Sequence, residues 1–246
     1  MNRLIILTGP SCVGKSPLDK ALKRFYPNLR ENMQKLVLFN DRAPRPGEME
    51  GVDYYFRKRQ QIEAFRLDGK YIVMGVRGDL QAVNIKELAT MLKKSNVFFE
   101  GNPYTAEILT THPLLQETPK LSVFLSPLSQ EEIKYFTDPN RNVKLPDLVT
   151  EIMRRKQLRR KTHQKIEISM RDLDDIETRA SSAYREMKMA WQFDYVIPNH
   201  DGEGSDNWEM FYYPIGEARK TMLNFIALLE GKKAPDVEKW EKDFLK

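Results

Sequence analysis

The chain has 246 residues, 41% of them hydrophobic and 30% charged, a balance that gives no reason to invoke disorder and fits one sizeable core with appendages. Its formal net charge of +5 suits anionic partners but does not choose among nucleotides, nucleic acids and membrane surfaces. No apolar run approaches the roughly 18 residues that span a bilayer, there is no signal-peptide layout, and the single cysteine, Cys12, excludes an intramolecular disulfide, so a cytoplasmic location is expected.

The first apolar run, Leu4-Ile5-Ile6-Leu7, predicts a strand. It leads straight into Gly9-Pro10-Ser11-Cys12-Val13-Gly14-Lys15-Ser16, and a helix is predicted over 16–25. Strand, GxxxxGK[ST] and helix in that order mark a loop whose backbone N–H groups turn toward a polyphosphate above a helix N-terminus. Gly9, Ser11, Cys12, Val13 and Gly14 are the candidate cradle, Lys15 the cation for the terminal phosphates, and Ser16 the ligand of Mg2+. The plain alternative is a chance Gly/Ser turn. Pro17 is tolerated in the first helical turn, where its missing N–H has no intrahelical partner. Cys12 fills a small position and is assigned no chemistry.

A strand is predicted over 36–39, and after it come Asp41-Arg42-Ala43-Pro44-Arg45-Pro46-Gly47-Glu48 and Gly51-Val52-Asp53-Tyr54-Tyr55-Phe56. Two arginines three apart on a proline-stiffened loop can present guanidinium forks to one phosphate, with the Tyr54 hydroxyl as a further donor. Alone, this segment would read as a solvated basic turn with Tyr54 packed in a strand. Behind the phosphate loop it resembles the guanylate kinase family, whose members carry a similar R-x-P-R-x-G-E-x-x-G-x-D-Y-x-F segment. The resemblance implies ATP with Mg2+ as donor, and Arg42, Arg45 and Tyr54 as the grip on the acceptor monophosphate.

Further strands are predicted at 71–74, 97–99, 121–125 and 195–197. Helices are predicted at 60–68, 83–94, 103–111, 129–136, 147–165, 175–192 and 216–230. This alternation predicts an α/β fold with a mainly parallel sheet sandwiched by helices. By resemblance the sheet is of the P-loop NTPase type, with an inserted acceptor-binding domain and a helical lid. Residues 1–35, 95–136 and 177–246 would form the ATP-binding core with its C-terminal extension. Residues 36–94 would form the acceptor domain and 137–176 the lid.

Arg179 matches a nucleotide-phosphate arginine of the family and Asn199 a residue beside the adenine. Arg154, Arg155, Lys156, Arg159, Arg160, Lys161 and Lys165 crowd the lid. Most of them read as a solvated helix face over Met153 and Leu158, and Arg155 is taken as the catalytic lid arginine, with Arg141 another candidate. Interleaved aromatics are lacking, so nucleic acid is not an expected partner. His112, His163 and His200 have no metal-ligand spacing, so no zinc site is expected. Ala218, Met222, Phe225, Ile226 and Leu229 predict an amphipathic helix stopped at Gly231, and the tail with Trp240 and Phe244 is expected to dock on its own molecule.

The guanine-reading positions depart from the family. Leu38 stands at a serine position and Asn40-Asp41 at two threonines. The stretch Tyr71-Ile72-Val73-Met74 lacks the glutamate that meets the guanine edge, and Gly78-Asp79-Leu80-Gln81-Ala82-Val83 replaces G-N-x-Y-G-[ST]. Asp41, Arg77, Asp79, Gln81 or Asn84 could supply replacement contacts. Glu100 and Asn102 stand where two aspartates are common. Glu100 is placed with the acceptor-binding residues and can also organise Mg2+ through water, the alternative being a surface carboxylate. The expected activity is ATP-dependent phosphorylation of GMP, dGMP or a related monophosphate. The alternatives are a kinase for a non-guanine acceptor and a family-like binding or regulatory module with little turnover.

Overall fold

The computed structural model describes residues 2–45, 47–164 and 167–245. Pro46 of the arginine segment and Lys165 of the basic cluster therefore lie outside the described residues. The strands are β1 (Leu4–Thr8), β2 (Met33–Lys35), β3 (Leu38–Asn40), β4 (Tyr54–Phe56), β5 (Tyr71–Val76), β6 (Asp79–Asn84), β7 (Asn96–Gly101), β8 (Lys120–Ser126) and β9 (Tyr195–Pro198). The α-helices are α1 (Lys15–Phe25), α2 (Pro27–Arg30), α3 (Arg59–Ala64), α4 (Ile85–Lys94), α5 (Pro103–Thr111), α6 (Gln130–Phe136), α7 (Leu145–His163), α8 (Met170–Met187) and α9 (Gly216–Leu229).

β1 is buried along its whole length, as a continuous apolar run requires when both faces of a strand are covered. It is the middle strand of a five-stranded sheet ordered β2-β7-β1-β8-β9. β2 pairs in parallel with β7, Met33 opposite Asn96, and β8 in parallel with β9, Val123 opposite Tyr195. Parallel neighbours need long crossovers, which the intervening helices supply. This is the α/β architecture expected, a parallel central sheet flanked by helices.

Two compact units are distinguished among the described residues. One comprises Asn32–Phe99, Tyr104–Lys120 and the segment ending at Ile6; the other comprises Leu7–Glu31, Glu100–Pro103 and the chain from Leu121 onward. The first holds a second sheet ordered β4-β3-β6-β5. There β3 runs parallel to β4, and β6 is antiparallel to both β3 and β5. One face of this sheet packs Phe39, Val73, Leu80 and Ala82 with Ile62 of α3 and with Phe65.

β6 is absent from the sequence expectation, which carries a helix through 83–94. Leu80 and Ala82 alternate with Gln81 and Val83, a period of two, and the hairpin turn Arg77-Gly78 with both φ positive (52° and 93°) closes β5 onto it. The helix starts only at Ile85, because the Asn84 side chain accepts from the Glu87 N–H and caps it. Likewise α8 begins at Met170 rather than 175, since Ser169 and Asp172 form a capping box.

In the second unit α9 buries Ala218, Met222, Phe225, Ile226 and Leu229, the stripe read from their spacing. The tail closes on the same unit. Glu238 bridges Val196 of β9 and its carboxylate accepts from the Gln130 N–H at the start of α6, while Trp240 is 3% exposed and its ring lies 5.1 Å from that of Phe244. No helix among the described residues is long and apolar enough to cross a membrane.

Candidate active site

The loop after β1 is tight enough that glycine is dictated at both ends. A Cβ on Gly9 (φ 138°) would fall 2.3 Å from the Leu125 carbonyl oxygen, and one on Gly14 (φ 106°) 2.4 Å from Asn199 Nδ2. Between them Cys12 holds a left-handed φ of 67°, a strained conformation for a residue with a side chain and one that collects at ligand-clamping loops. Its buried thiol is pushed far up from its ordinary pKa, first by desolvation and then by the charge of Glu203, so it is not a nucleophile.

Lys15 and Ser16 open α1, whose N–H dipoles point back at the loop. Lys15 is 8% exposed, and its Nζ donates to the carbonyls of Gly9 (3.0 Å) and Pro10 (2.6 Å), so the ammonium lies along the loop itself. Ser16 Oγ donates to Glu100 Oε1 at 2.6 Å. Desolvation raises the Glu100 carboxyl above the ordinary range, against the opposing pull of Ser16 and Lys15, so it is no plain surface acid. A hydroxyl and a carboxylate side by side are the oxygen donors that Mg2+ takes, which makes the residues present compatible with a magnesium nucleotide.

Arg179 on α8 is held by Asp175 at 2.8 Å and donates from Nη1 to Ser11 Oγ of the loop at 3.1 Å. Asn199 is fully buried with its amide saturated. Nδ2 donates to the carbonyls of Val13 and Asp201, and Oδ1 accepts from the Asp201 N–H and the Thr221 hydroxyl. It therefore braces the loop from behind. Arg155 does not meet the loop. Its side chain is 77% exposed and paired with Glu151, and Arg154 is likewise taken up by Glu151 and Glu177. Spacing on a helix face could not show this, because α7 turns other cations inward.

Two of those cations, Lys156 and Arg160, reach the loop after β9. Lys156 Nζ donates to the Asn199 carbonyl, and burial lowers its pKa to about 8. Arg160 lies 3.7 Å from Glu203. A Cβ on Gly202 would meet the Cys12 carbonyl at 2.4 Å and the Lys156 stem at 3.1 Å, so the loop after β9 packs directly on the phosphate loop. The glycine-punctuated run His200-Asp201-Gly202-Glu203-Gly204 is the sequence signal for this close approach.

His200 of that loop pairs through Nε2 with Glu132 (2.8 Å) and lies 3.4 Å through Nδ1 from Glu217. The hydrogen bond to Glu132 raises the imidazole pKa above its ordinary value against desolvation and nearby Lys156. Glu132, which burial alone would push up, is brought down to about 2 by His200 and Ser129 and stays ionised near neutrality. A raised folded-state pKa gives stability that is complete below the unfolded pKa and lost as pH rises through the folded one. From about pH 6 to about pH 7.5 the melting temperature should accordingly fall by about 1–3 °C more in the parent than in His200→Gln, a small effect because the pair is partly exposed. Parallel thermal melts check it; equal slopes would count against the ion pair.

The arginine segment belongs to the first unit. Arg42 forms a two-pronged pair with Glu48, Nη1 to Oε2 at 2.7 Å and Nη2 to Oε1 at 2.6 Å, and lies 5.1 Å from the Tyr54 ring centre. Glu48 Oε2 also accepts from the Arg45 N–H at 2.8 Å. One carboxylate thus ties both arginines of the loop together, and these bonds hold it below the ordinary carboxylate pKa although burial pushes the other way. This loop and β4 thus bring the Arg42 guanidinium to the Tyr54 ring and the Arg45 backbone to the same carboxylate. Of the polar replacements considered for the base, Asp41 is engaged by the Leu80 N–H and Arg59, and Asn84 by its helix cap.

Residues 1–137 match the family model described as guanylate kinase. A guanylate kinase of Synechococcus sp. (strain JA-3-3Ab) is 30% identical over 219 residues, spanning 86% of this chain and 82% of that protein. One of Idiomarina loihiensis (strain ATCC BAA-735 / DSM 15497 / L2-TR) is 27% identical over 210 residues, spanning 83% and 82%. The crystal structure of guanylate kinase from Anaplasma phagocytophilum shares the fold, with a TM-score of 0.55 at 20% identity over 94% of this chain and 85% of that one. By these matches the chain belongs to the guanylate kinase family.

Proposed function

We propose that the chain is an ATP-dependent nucleoside monophosphate kinase that transfers the γ-phosphate of ATP to GMP, dGMP or a related monophosphate. The observation that carries this is the phosphate loop with Lys15 along it and Ser16 joined to Glu100. A chain that had stopped handling nucleoside triphosphates would have no need of that arrangement. Ser16, with Glu100 beside it, would hold Mg2+, which neutralises charge on the triphosphate when bound. Lys15 follows the terminal phosphates, Arg179 beside Ser11 faces the transferring group, and Arg42, Arg45 and Tyr54 hold the acceptor phosphate. An acceptor phosphate oxygen attacks the γ-phosphorus, the bond from that phosphorus to the bridging oxygen breaks, and ADP leaves with the electron pair. The work of the chain is positioning and charge stabilisation. Residues 36–94 serve as the acceptor domain and 137–176 as the lid, with Arg155 its exposed candidate arginine.

One observation favours an acceptor other than guanine. On the second sheet Leu38, Val83 and Ile72 fall in one cross-strand row, Val83 opposite Ile72 and Leu38 next to the Phe39–Ala82 pair. That row offers no hydrogen-bond partner to a polar base edge, and a missing partner costs about 1–3 kcal/mol. An assay coupling ADP release to NADH oxidation, run over GMP, dGMP, AMP, UMP, CMP and dTMP, tests both acceptors. Turnover with one of them supports the kinase and names its base. Tight binding of magnesium ATP with no turnover on any would support the binding module instead.

A further inference from the structure

Asn40 ends β3, and its neighbour Phe39 belongs to the sheet face packed against α3. Side chains alternate along a strand, so Asn40 projects from the opposite face. There it stands across from Gln81, which is itself paired with Met74. The Thr105 hydroxyl lies 3.2 Å from Met74 Sδ and 3.4 Å from Gln81 Oε1 on that face. Asn40 is 1% exposed.

Its Oδ1 accepts the Arg42 backbone N–H at 3.1 Å. An N–H needs an oxygen to accept it, so this bond fixes which way the amide is turned. The Nδ2 is left buried and without a hydrogen-bond partner. Buried donors in native proteins are nearly always satisfied, and an orphan beside a binding loop points to a group that arrives from outside. Asp41, next in the chain, and Gln81, across the strand, already have partners. Asn40 thus has one end pinning the backbone N–H of Arg42, while its N–H2 is a spare donor on a residue two positions before Arg42 in the chain.

We propose that Asn40 is a substrate-binding residue whose Nδ2 donates to a phosphate oxygen of the acceptor monophosphate, beside Arg42. The assignment rests on the kinase function proposed above and extends it to a residue outside the arginine segment. An N–H2 donor complements a phosphate oxyanion; on guanine it could meet only the O6 or N7 acceptors, which the nucleoside arm of the test below distinguishes. Asn40 therefore contributes to affinity for any acceptor monophosphate, whatever its base.

Asn40→Asp tests this with little change of shape, since one carboxylate oxygen still accepts the Arg42 N–H and the other replaces the orphan donor with a negative charge. Calorimetric titration of the full chain with each monophosphate of the panel, the matching nucleosides, and magnesium ATP separates the sources. The expected result is a loss of about 30-fold or more in monophosphate affinity, with nucleoside and magnesium ATP affinities within about twofold of the parent. An equal loss for the nucleoside would place the contact on the base and overturn the phosphate assignment. Unchanged monophosphate affinity would overturn it outright. Should Asn40→Asp fail to fold, Asn40→Ala gives the same comparison, and a lowered melting temperature with unchanged monophosphate affinity marks a purely structural role and overturns it. Monophosphate binding by the parent without ATP-dependent turnover would sink the kinase and leave the Asn40 assignment to be judged by these titrations. No binding of any monophosphate by the parent would overturn both.

Discussion

Lys15→Met should lower kcat by about a thousandfold, because in the proposed reaction its ammonium meets the developing phosphate charge and a thioether cannot replace that stabilisation. Its ammonium lies 3.0 Å from the Gly9 carbonyl and 2.6 Å from that of Pro10, so the charge is parked on the loop. Methionine keeps most of the stem volume and loses both bonds, at a cost of about 1–2 kcal/mol and a few degrees of melting temperature. Steady-state kinetics with thermal melts separate the two effects. A variant with near-parental kcat would show that Lys15 serves the loop alone, and a variant that no longer folds would show that its chief role is structural.

The largest effect on stability is expected at a buried ion pair on α1 and α2. Arg30 of α2 and Asp19 of α1 are 5% and 4% exposed, with Nε to Oδ1 at 2.5 Å. Arg30→Ala leaves the Asp19 carboxylate buried with Lys23 as its other salt-bridge partner at 2.7 Å, a side chain that is 52% exposed. Stranding one member of a buried pair costs about 3–5 kcal/mol, which for a chain of this size lowers the melting temperature by about 10 °C. Replacing both partners, Arg30→Met with Asp19→Leu, should recover most of that loss, since the desolvation penalty goes with the charges. Denaturant unfolding of the three variants checks the sign and the recovery. If the single variant loses less than about 1 kcal/mol, the pair is solvated in solution and the expectation fails.

What could be read from the chain followed the range of the interactions. GPSCVGKS and the arginine segment are local devices, with residue types and spacing set by the geometry of one loop, so Lys15, Ser16, Arg42 and Arg45 stand out as candidates without a fold. The α9 stripe and the buried run of β1 were equally local. The Arg30–Asp19 pair joins positions 11 apart across a helix break, a spacing with no periodic signature. Asn199 braces Val13 across 186 positions, and Lys156 reaches Asn199 across 43. Such partners are defined by packing, not by pattern. β6 was hidden for another reason. Its alternation is short, begins in a polar turn and runs directly into a capped helix, so the helical period of its neighbour masked its own. The basic cluster showed the limit of charge patterning, since seven cations along one segment share a composition while only their facing decides that Lys156 turns in and Arg155 stays out.

On the proposed function, the γ-phosphoryl group of ATP passes to a nucleoside monophosphate, with Lys15 serving the donor and Arg42 the acceptor. Incubation with ATP labelled at the γ-phosphorus and each monophosphate in turn, followed by chromatography of the nucleotides, tests it most directly. Label should appear in the matching nucleoside diphosphate and disappear from it in both Lys15→Met and Arg42→Ala. Label that stays in ATP, or emerges only as inorganic phosphate with every monophosphate, would rule out phosphoryl transfer to a nucleotide.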